Sequence, residues 1–349
     1  MELLAGAYRA AFAEYGAAGV TYGHDPGPET LRGRIAELCE GGRVGVEHVA
    51  VTAGTSSGLA LLARYAAAPG DVVFAEAASY DFALQLFREH GLRVCQVGGD
   101  SGGIDPARLA DAVRGERAAG RRGRLLYLIP TFQNPTGTVL PVRRRRELLD
   151  VARDHELLVV EDDPYALLAL DGEPPPPGLG DLGGYDGVVR LGSFSKILAP
   201  GLRLGWLCGS PEYVARLTST AVFVSGGCLN HLAAVAVERL LEAGRLAVHL
   251  RGLRAGLRRR RDLLAGAVGE LLDVAVPDGG FFMWGRVGSA ELAEELLARA
   301  QAVGVSLAAG ARFGDPAGLR FSFSFQSPER IVEAGERLAD AWGPLIGPR

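Results

Sequence analysis

Cysteine is scarce in this chain of 349 residues: there are four, Cys39, Cys95, Cys208 and Cys228, far apart and with no C-x-x-C pair among them. That spacing argues against a disulfide framework or a metal site and fits a reducing, cytoplasmic setting. No apolar run approaches the roughly 18 uncharged residues of a membrane span. The opening residues, MELLAGAYRAAFAEYG, hold Glu2 and Glu14 and no apolar stretch after a basic start, so they are not read as a signal peptide. Positive charge is not in excess either. With 37 Lys+Arg against 41 Asp+Glu the net charge is −4, which gives no electrostatic reason to expect nucleic acid or a membrane surface as partner. Wholesale disorder is excluded by a composition that is 48% hydrophobic and only 22% charged.

What the chain has in surplus is glycine, 49 residues, about twice the usual share of roughly 7%. Its length is enough for a large core and more than one domain. From about residue 50 to 210, helix-period segments alternate with short apolar runs, the pattern of a mostly parallel sheet covered by helices. The runs are 71–76, 92–97, 124–129, 157–162, 188–192 and 202–207, with helices expected near 56–68, 80–90, 105–118 and 142–155. After Pro211 helices are expected at 211–219, 229–242 and 245–270. Strands at 274–276, 281–287, 305–307 and 320–325 then alternate with helices at 290–302 and 328–342. The fold class is therefore α/β, a large domain over 45–245 and a smaller α+β domain over 246–349, preceded by a segment 1–44. The Pro- and Gly-rich stretch 173–187 reads as a surface loop unable to hold a helix. The runs Arg143–Arg146 and Arg258–Arg261 read as solvated helix faces with ion pairs.

Four segments carry chemistry. In SFSKILAPGLRLGW, residues 193–206, Lys196 follows a strand beside Ser193 and Ser195, with Arg203 close behind. An amine that forms a Schiff base with an aldehyde cofactor, and hydroxyl and guanidinium donors for a phosphate, come from one stretch. In VTAGTSSGLALLARY (51–65) a Gly/Ser/Thr turn opens a helix, and Thr55, Ser56 and Ser57 stand beside its free N–H groups as an anion site. PTFQNPTG (130–137) puts Asn134 in a turn at the carboxyl edge of the sheet, where ligands of open α/β sheets bind. LVVEDDPYALL (158–168) ends a strand in two carboxylates and Tyr165. A carboxylate there needs a cationic partner, such as the protonated ring nitrogen of pyridoxal phosphate. Each piece alone has a plainer reading: a surface lysine in a Ser-rich turn, ordinary helix caps, a turn-forming Asn.

In this order the motifs resemble the fold-type I, pyridoxal-phosphate-dependent aminotransferases of class I/II. Within them the nearest likeness is to the 2-aminoadipate and aromatic aminotransferase branch and to the aminotransferase-like domains of GntR-type regulators. The likeness runs from YGHDPGPETLRGRIA (22–36) to LRFSFSF (319–325). It implies that Lys196 carries the cofactor as a Schiff base and shuttles the proton between the substrate Cα and the cofactor C4′. It implies that Asp162 pairs with the ring nitrogen, with Asp163 the alternative whose spacing to Tyr165 fits D-x-x-Y less well. Asn134 and Tyr165 hold the ring oxygen, and Tyr80 stacks on the ring. Thr55, Ser56, Ser193, Ser195 and Arg203 surround the phosphate, and Arg320 clamps the substrate α-carboxylate. Tyr22 is similar to the tyrosine that reaches a neighbouring subunit's phosphate, which implies a homodimer with sites at the interface and residues 1–44 at the small domain and dimer contact.

The implied activity is ping-pong transamination between an α-amino acid and a 2-oxo acid. Other outcomes on the same residues are an eliminase, a cyclase or an amino acid oxidase. A non-catalytic effector-binding domain is disfavoured because no basic winged-helix segment precedes Tyr22. Relatives usually carry an S-G-x-P turn and a closing helix before this tyrosine, so the lid is expected to be shortened or absent, which leaves side-chain specificity open.

Overall fold

The computed structural model describes residues 2–40, 43–171, 174–226 and 230–346, with the side chains of residues 39 and 40 left aside. Gly41, Gly42, Gly227 and Cys228, and the side chain of Cys39, therefore lie outside the description. Seven strands form the main sheet: β1 (Val49–Thr52), β2 (Val72–Glu76), β3 (Arg93–Val97), β6 (Gly123–Leu128), β7 (Leu158–Asp162), β8 (Val188–Ser193) and β9 (Gly205–Cys208). A two-stranded ribbon, β4 (Gly99–Asp100) with β5 (Gly103–Ile104), follows β3. The sheet order is β1-β9-β8-β7-β6-β2-β3. All neighbours pair in parallel except β9, which runs against both β1 and β8.

Strands covered on both faces read as continuous apolar runs, and their side chains still divide two ways. Val73, Ala75, Leu125, Tyr127, Val160 and Val189 face one core, whereas Val72, Phe74, Leu126, Leu128, Val159 and Val188 face the other. The first core is closed by α3 (Thr55–Ala66) and α4 (Asp81–Glu89), through residues such as Leu62 and Phe87. The second is closed by α5 (Pro106–Ala118), α6 (Val142–Asp154) and α7 (Leu179–Gly183). α5 starts where its sequence says it should: Pro106 occupies the first turn and the Asp105 carboxylate accepts from the N–H groups of Ala107 and Arg108.

Two N-terminal helices, α1 (Glu2–Tyr15) and α2 (Glu29–Glu40), pack along α10 (His231–Glu242). α8 (Pro211–Thr218) and α9 (Ala221–Val224) precede α10, and α11 (Arg245–Gly269) leads to a second sheet. Its four antiparallel strands are β10 (Val274–Ala275), β11 (Phe282–Arg286), β12 (Ala308–Ala309) and β13 (Gly318–Ser322), in the order β10-β11-β13-β12. α11, α12 (Ala290–Ala302) and α13 (Pro328–Ile346) pack with it, and the buried Trp342 of α13 donates its indole N–H to Leu296 O of α12 at 2.9 Å.

Several details differ from the sequence reading. β1 is an additional strand. Residues 305–307 are not a strand, because Val305 N bonds back to Ala300 O at 2.8 Å and finishes α12, so pairing begins only at Ala308. The stretch 202–207 is a strand only from Gly205, since Leu202 closes a 3-10 turn and Arg203 takes a left-handed backbone (φ 46°). The Pro- and Gly-rich loop does hold a helix, α7, whose Leu179 and Gly180 N–H groups donate to the buried Glu161 carboxylate at 2.9 and 3.0 Å. The arginine runs are split. Arg143 and Arg258 make surface pairs, but Arg145 (0% exposed) and Arg261 are buried.

Candidate active site

Strands β1, β2, β6, β7 and β8 all deliver their carboxyl ends to one edge of the main sheet, and the loops that follow them build a cavity of about 270 Å3. Thr55, Ser56, Tyr80, Asn134, Asp162, Tyr165, Ser193, Ser195, Lys196, Arg203 and Arg320 all line it. Tyr22 does not; it stands 83% exposed on the surface. Asp81, Phe82, Phe282 and Arg312 also line the cavity, and no motif announced them.

After β1 the chain turns through Gly54 at φ 89°, a conformation that side chains rarely tolerate. A Cβ there would stand 2.8 Å from Arg203 Nη2. This close approach sets the first N–H groups of α3, with the Thr55 and Ser56 hydroxyls, beside the Arg203 guanidinium, which is itself held by Ala53 O at 3.1 Å and Pro200 O at 3.2 Å. The Ser193 hydroxyl oxygen accepts from Ser195 N at 3.0 Å, which leaves its proton free to be donated. Helix N–H groups, hydroxyls and a guanidinium together make an anion cradle of the kind a phosphate requires.

The two carboxylates at the end of β7 part company. Asp162 is 3% exposed and lines the cavity, and Tyr127 of β6 donates its hydroxyl to Oδ2 at 2.8 Å. Its Oδ1 is buried with no partner. Burial raises its pKa to about 6, against the pull of the Tyr127 hydrogen bond and of Lys196. Asp163 turns instead to Arg190, whose Nη2 and Nε lie 2.5 and 3.1 Å from its Oδ2. A cation placed at the orphaned Oδ1 of Asp162 would relieve the desolvation, as a protonated pyridine nitrogen does.

Lys196 is the only lysine in the sequence. It follows β8 directly, with its Nζ 5.9 Å from the Phe281 ring centroid. Burial lowers its pKa, opposed by Asp162 and assisted by Arg320 and Arg203. A buried amine that sheds its proton more readily than usual serves as nucleophile and base.

On the far wall, Arg320 of β13 donates through Nη1 to Asn134 Oδ1 at 2.8 Å. Its guanidinium lies between the rings of Phe282 (4.1 Å) and Phe313 (4.6 Å), and its Nε is buried without a partner. An arginine so held, with a donor to spare, suits a carboxylate. Asn134 sits in a turn whose Asn134–Pro135 peptide is cis. That turn is anchored from beneath by the buried Arg145, which donates to Leu140 O (2.8 Å), Pro130 O (2.9 Å) and Thr131 Oγ1 (3.0 Å). Tyr165 packs edge-on against Phe281 and Phe282, and burial holds its phenol protonated. Tyr80 stands immediately before α4, its pKa likewise raised by burial. The phosphate cradle, the orphaned acid and the lone lysine fit pyridoxal phosphate.

The family model for aminotransferase class I and II matches residues 12–338, and the chain belongs to that family. It is a fold-type I enzyme that uses pyridoxal phosphate to exchange an amino group between an amino acid and a 2-oxo acid. It is 34% identical to a 2-aminoadipate transaminase of Thermus thermophilus over 348 residues, covering 95% of this chain and 84% of that one. It is 31% identical to aromatic-amino-acid aminotransferase 1 of Thermococcus litoralis over 341 residues, covering 94% and 81%. Among solved structures, the kynurenine aminotransferase of Pyrococcus horikoshii, in complex with PMP, superposes with a TM-score of 0.88 at 29% identity, covering 97% of this chain and 86% of that one.

Proposed function

We propose that Lys196, Asp162, Tyr165, Asn134 and Arg320 carry the transamination, and that a second copy of the chain completes the site. The observation that carries this reading is the convergence of five loops on the only lysine. Thr55, Ser56, Ser193, Ser195 and Arg203 would hold the phosphate, Tyr80 the ring face, Asn134 and Tyr165 the ring oxygen, and Asp162 the ring nitrogen. Bound there, pyridoxal phosphate supplies a carbonyl for the amine and a ring able to accept the electron pair left at the substrate Cα. Arg320 fixes the substrate by its α-carboxylate. Lys196 Nζ, whose burial favours the uncharged amine, takes the proton from Cα. Asp162, screened from water and steadied by Tyr127, keeps the ring nitrogen protonated.

The homodimer reading rests on Tyr22, an aromatic side chain left in solvent and not among the residues that line its own chain's cavity. We place the unit boundaries at 45–245 and 246–349. The packing of α1 and α2 along α10 supports joining residues 1–44 to the larger unit. No helix among the described residues is long and apolar enough to cross a membrane. The wide spacing of the four cysteines supports a cytoplasmic setting.

The direct test reduces the loaded enzyme with borohydride and maps the labelled peptide. Label on Lys196 together with amino acid-driven loss of the cofactor absorbance supports the assignment. Label at the N-terminal amine, or loss of absorbance retained in Lys196→Ala, overturns it.

A further inference from the structure

Gln133 immediately precedes Asn134, is 1% exposed and lines no part of the cavity. Its side-chain amide is nonetheless fully engaged. Nε2 donates to Ala78 O at 2.7 Å and to Glu76 Oε2 at 3.2 Å, while Oε1 accepts from Thr136 N at 2.8 Å and from Thr136 Oγ1 at 2.7 Å. An amide offers two donors and two lone pairs, and here each has a partner. Exchanging its nitrogen and oxygen would set the oxygen against a carbonyl and a carboxylate, so the orientation is fixed.

The segment it holds is strained. Phe132, 3% exposed, takes a left-handed backbone at φ 51°, which a bulky side chain adopts only where its surroundings impose it. Its side chain is wedged against Gly279 and Gly280, and a Cβ at Gly280 would lie 2.7 Å from Phe132 Cβ. The next residue closes the turn: Gln133 N donates to Thr138 O at 2.9 Å, and Gln133 O accepts from Gly137 N at 2.7 Å. Asn134 is thus presented by a turn that would relax if these bonds were lost. Its Oδ1 accepts from Arg320, and its Nδ2 donates to nothing among the described residues.

The bond to Ala78 reaches further. Ala78 lies on the short loop between β2 and α4 that ends in Tyr80, so one hydrogen bond ties the turn bearing Asn134 to the loop bearing Tyr80. We propose that Gln133 is a positioning residue for the cofactor: by bracing the strained turn against the Tyr80 loop, it holds the Asn134 amide at the ring oxygen. This rests on the assignment of Asn134 to that oxygen. A donor held there favours the ionised oxygen and lowers the pH at which the absorbance of the bound cofactor changes. A donor free to drift does so less.

The test titrates that absorbance with pH, without substrate, in the loaded wild type, Gln133→Met, Asn134→Ala and the double variant. Methionine keeps the length of the side chain and loses its hydrogen bonds. Each single variant should raise the midpoint by about 0.5–1 pH unit, and the double variant should rise no further than Asn134→Ala, because Gln133 acts through Asn134. Trp342→Phe, which loses a buried hydrogen bond outside the cavity lining, should lower stability and leave the midpoint in place. A Gln133→Met midpoint within about 0.2 unit of the wild type where Asn134→Ala moves it, additive shifts in the double variant, or an equal shift in Trp342→Phe overturns the proposal. If Asn134→Ala itself leaves the midpoint in place, the assignment of Asn134 to the ring oxygen fails, and this inference falls with it. Should Gln133→Met not fold, Thr136→Val, which takes one donor from Oε1, should raise the midpoint by a smaller step, and no shift there overturns the proposal.

Discussion

Arg320 and Asn134 are joined by a 2.8 Å hydrogen bond from Nη1 to Oδ1, although 186 residues separate them and one stands on β13 of the second sheet while the other lies in the turn that follows β6 of the first. The bond sets the guanidinium we assign to the substrate carboxylate against the turn we assign to the cofactor ring. Two fixed planes, Phe282 and Phe313, prevent it from swinging away. A lysine cannot reproduce a planar donor fork. Arg320→Lys is therefore expected to lower kcat/KM by about a hundredfold for every α-amino acid alike. Asn134→Ala, which loosens the arginine without removing it, should cost about tenfold. Half-reaction kinetics across several amino acids check both, and a loss confined to one substrate would contradict the assignment.

Asp162 and Asp163 are adjacent in sequence and opposite in consequence. Asp162→Asn should leave the fold intact, weaken cofactor retention and lower kcat by about a hundredfold or more, because an amide does not hold a ring nitrogen protonated. Asp163→Asn weakens the buried pair with Arg190 and should cost about 3 kcal/mol of stability, with kcat of the folded fraction reduced far less. Thermal unfolding and single-turnover rates, measured on both variants, separate the two effects.

Glu76, at the end of β2, is buried with Ile129 N and the Gln133 side-chain amide both donating to Oε2 at 3.2 Å. Burial raises its pKa to about 7, only partly offset by those two donors. The folded state therefore holds this proton more tightly than the unfolded chain, whose carboxyl has its ordinary value. Below that ordinary value both states are protonated and nothing is lost. Between there and about pH 7 stability falls as pH rises, and the penalty is complete above that. Glu76→Gln imitates the protonated acid, so it should raise stability at pH 8 by about 2–3 kcal/mol and leave it unchanged at pH 4. Urea unfolding at the two values checks the sign.

If Tyr22 reaches a phosphate in a second copy, Tyr22→Phe should weaken cofactor binding about tenfold while the sedimentation of the protein stays that of a dimer. A monomeric wild type, or unchanged cofactor affinity, would remove Tyr22 from the site.

Much of this is legible in the sequence. The central strands announce themselves because burial on both faces makes them apolar throughout, and the cavity's main side chains lie in short motifs just after those strands. What stayed hidden depends on partners distant in the chain. α7 exists because Glu161, buried on β7, accepts from its first N–H groups, and nothing in the glycine- and proline-rich loop itself signals it. Residues 305–307 look like a strand, but a backbone bond spends Val305 on closing α12. Tyr127 could be placed on a strand by its neighbours, whereas its hydroxyl's aim at Asp162 is a fact of tertiary packing. Arg312 and Asp81 meet only when two sheets are assembled, 231 residues apart in sequence.

The placement of these groups along the chain also has a temporal side. Every residue assigned to the cofactor within one subunit, from Thr55 to Arg203, precedes residue 204, whereas Phe282, Arg312, Phe313 and Arg320 are all contributed by the second sheet or the turn leading into it. Domains emerging from a ribosome fold in the order in which they are made. On these assignments the nascent protein gains the parts that would grip a cofactor well before it gains those that would meet the substrate, and reactivity and substrate capture are written in separate stretches of one gene.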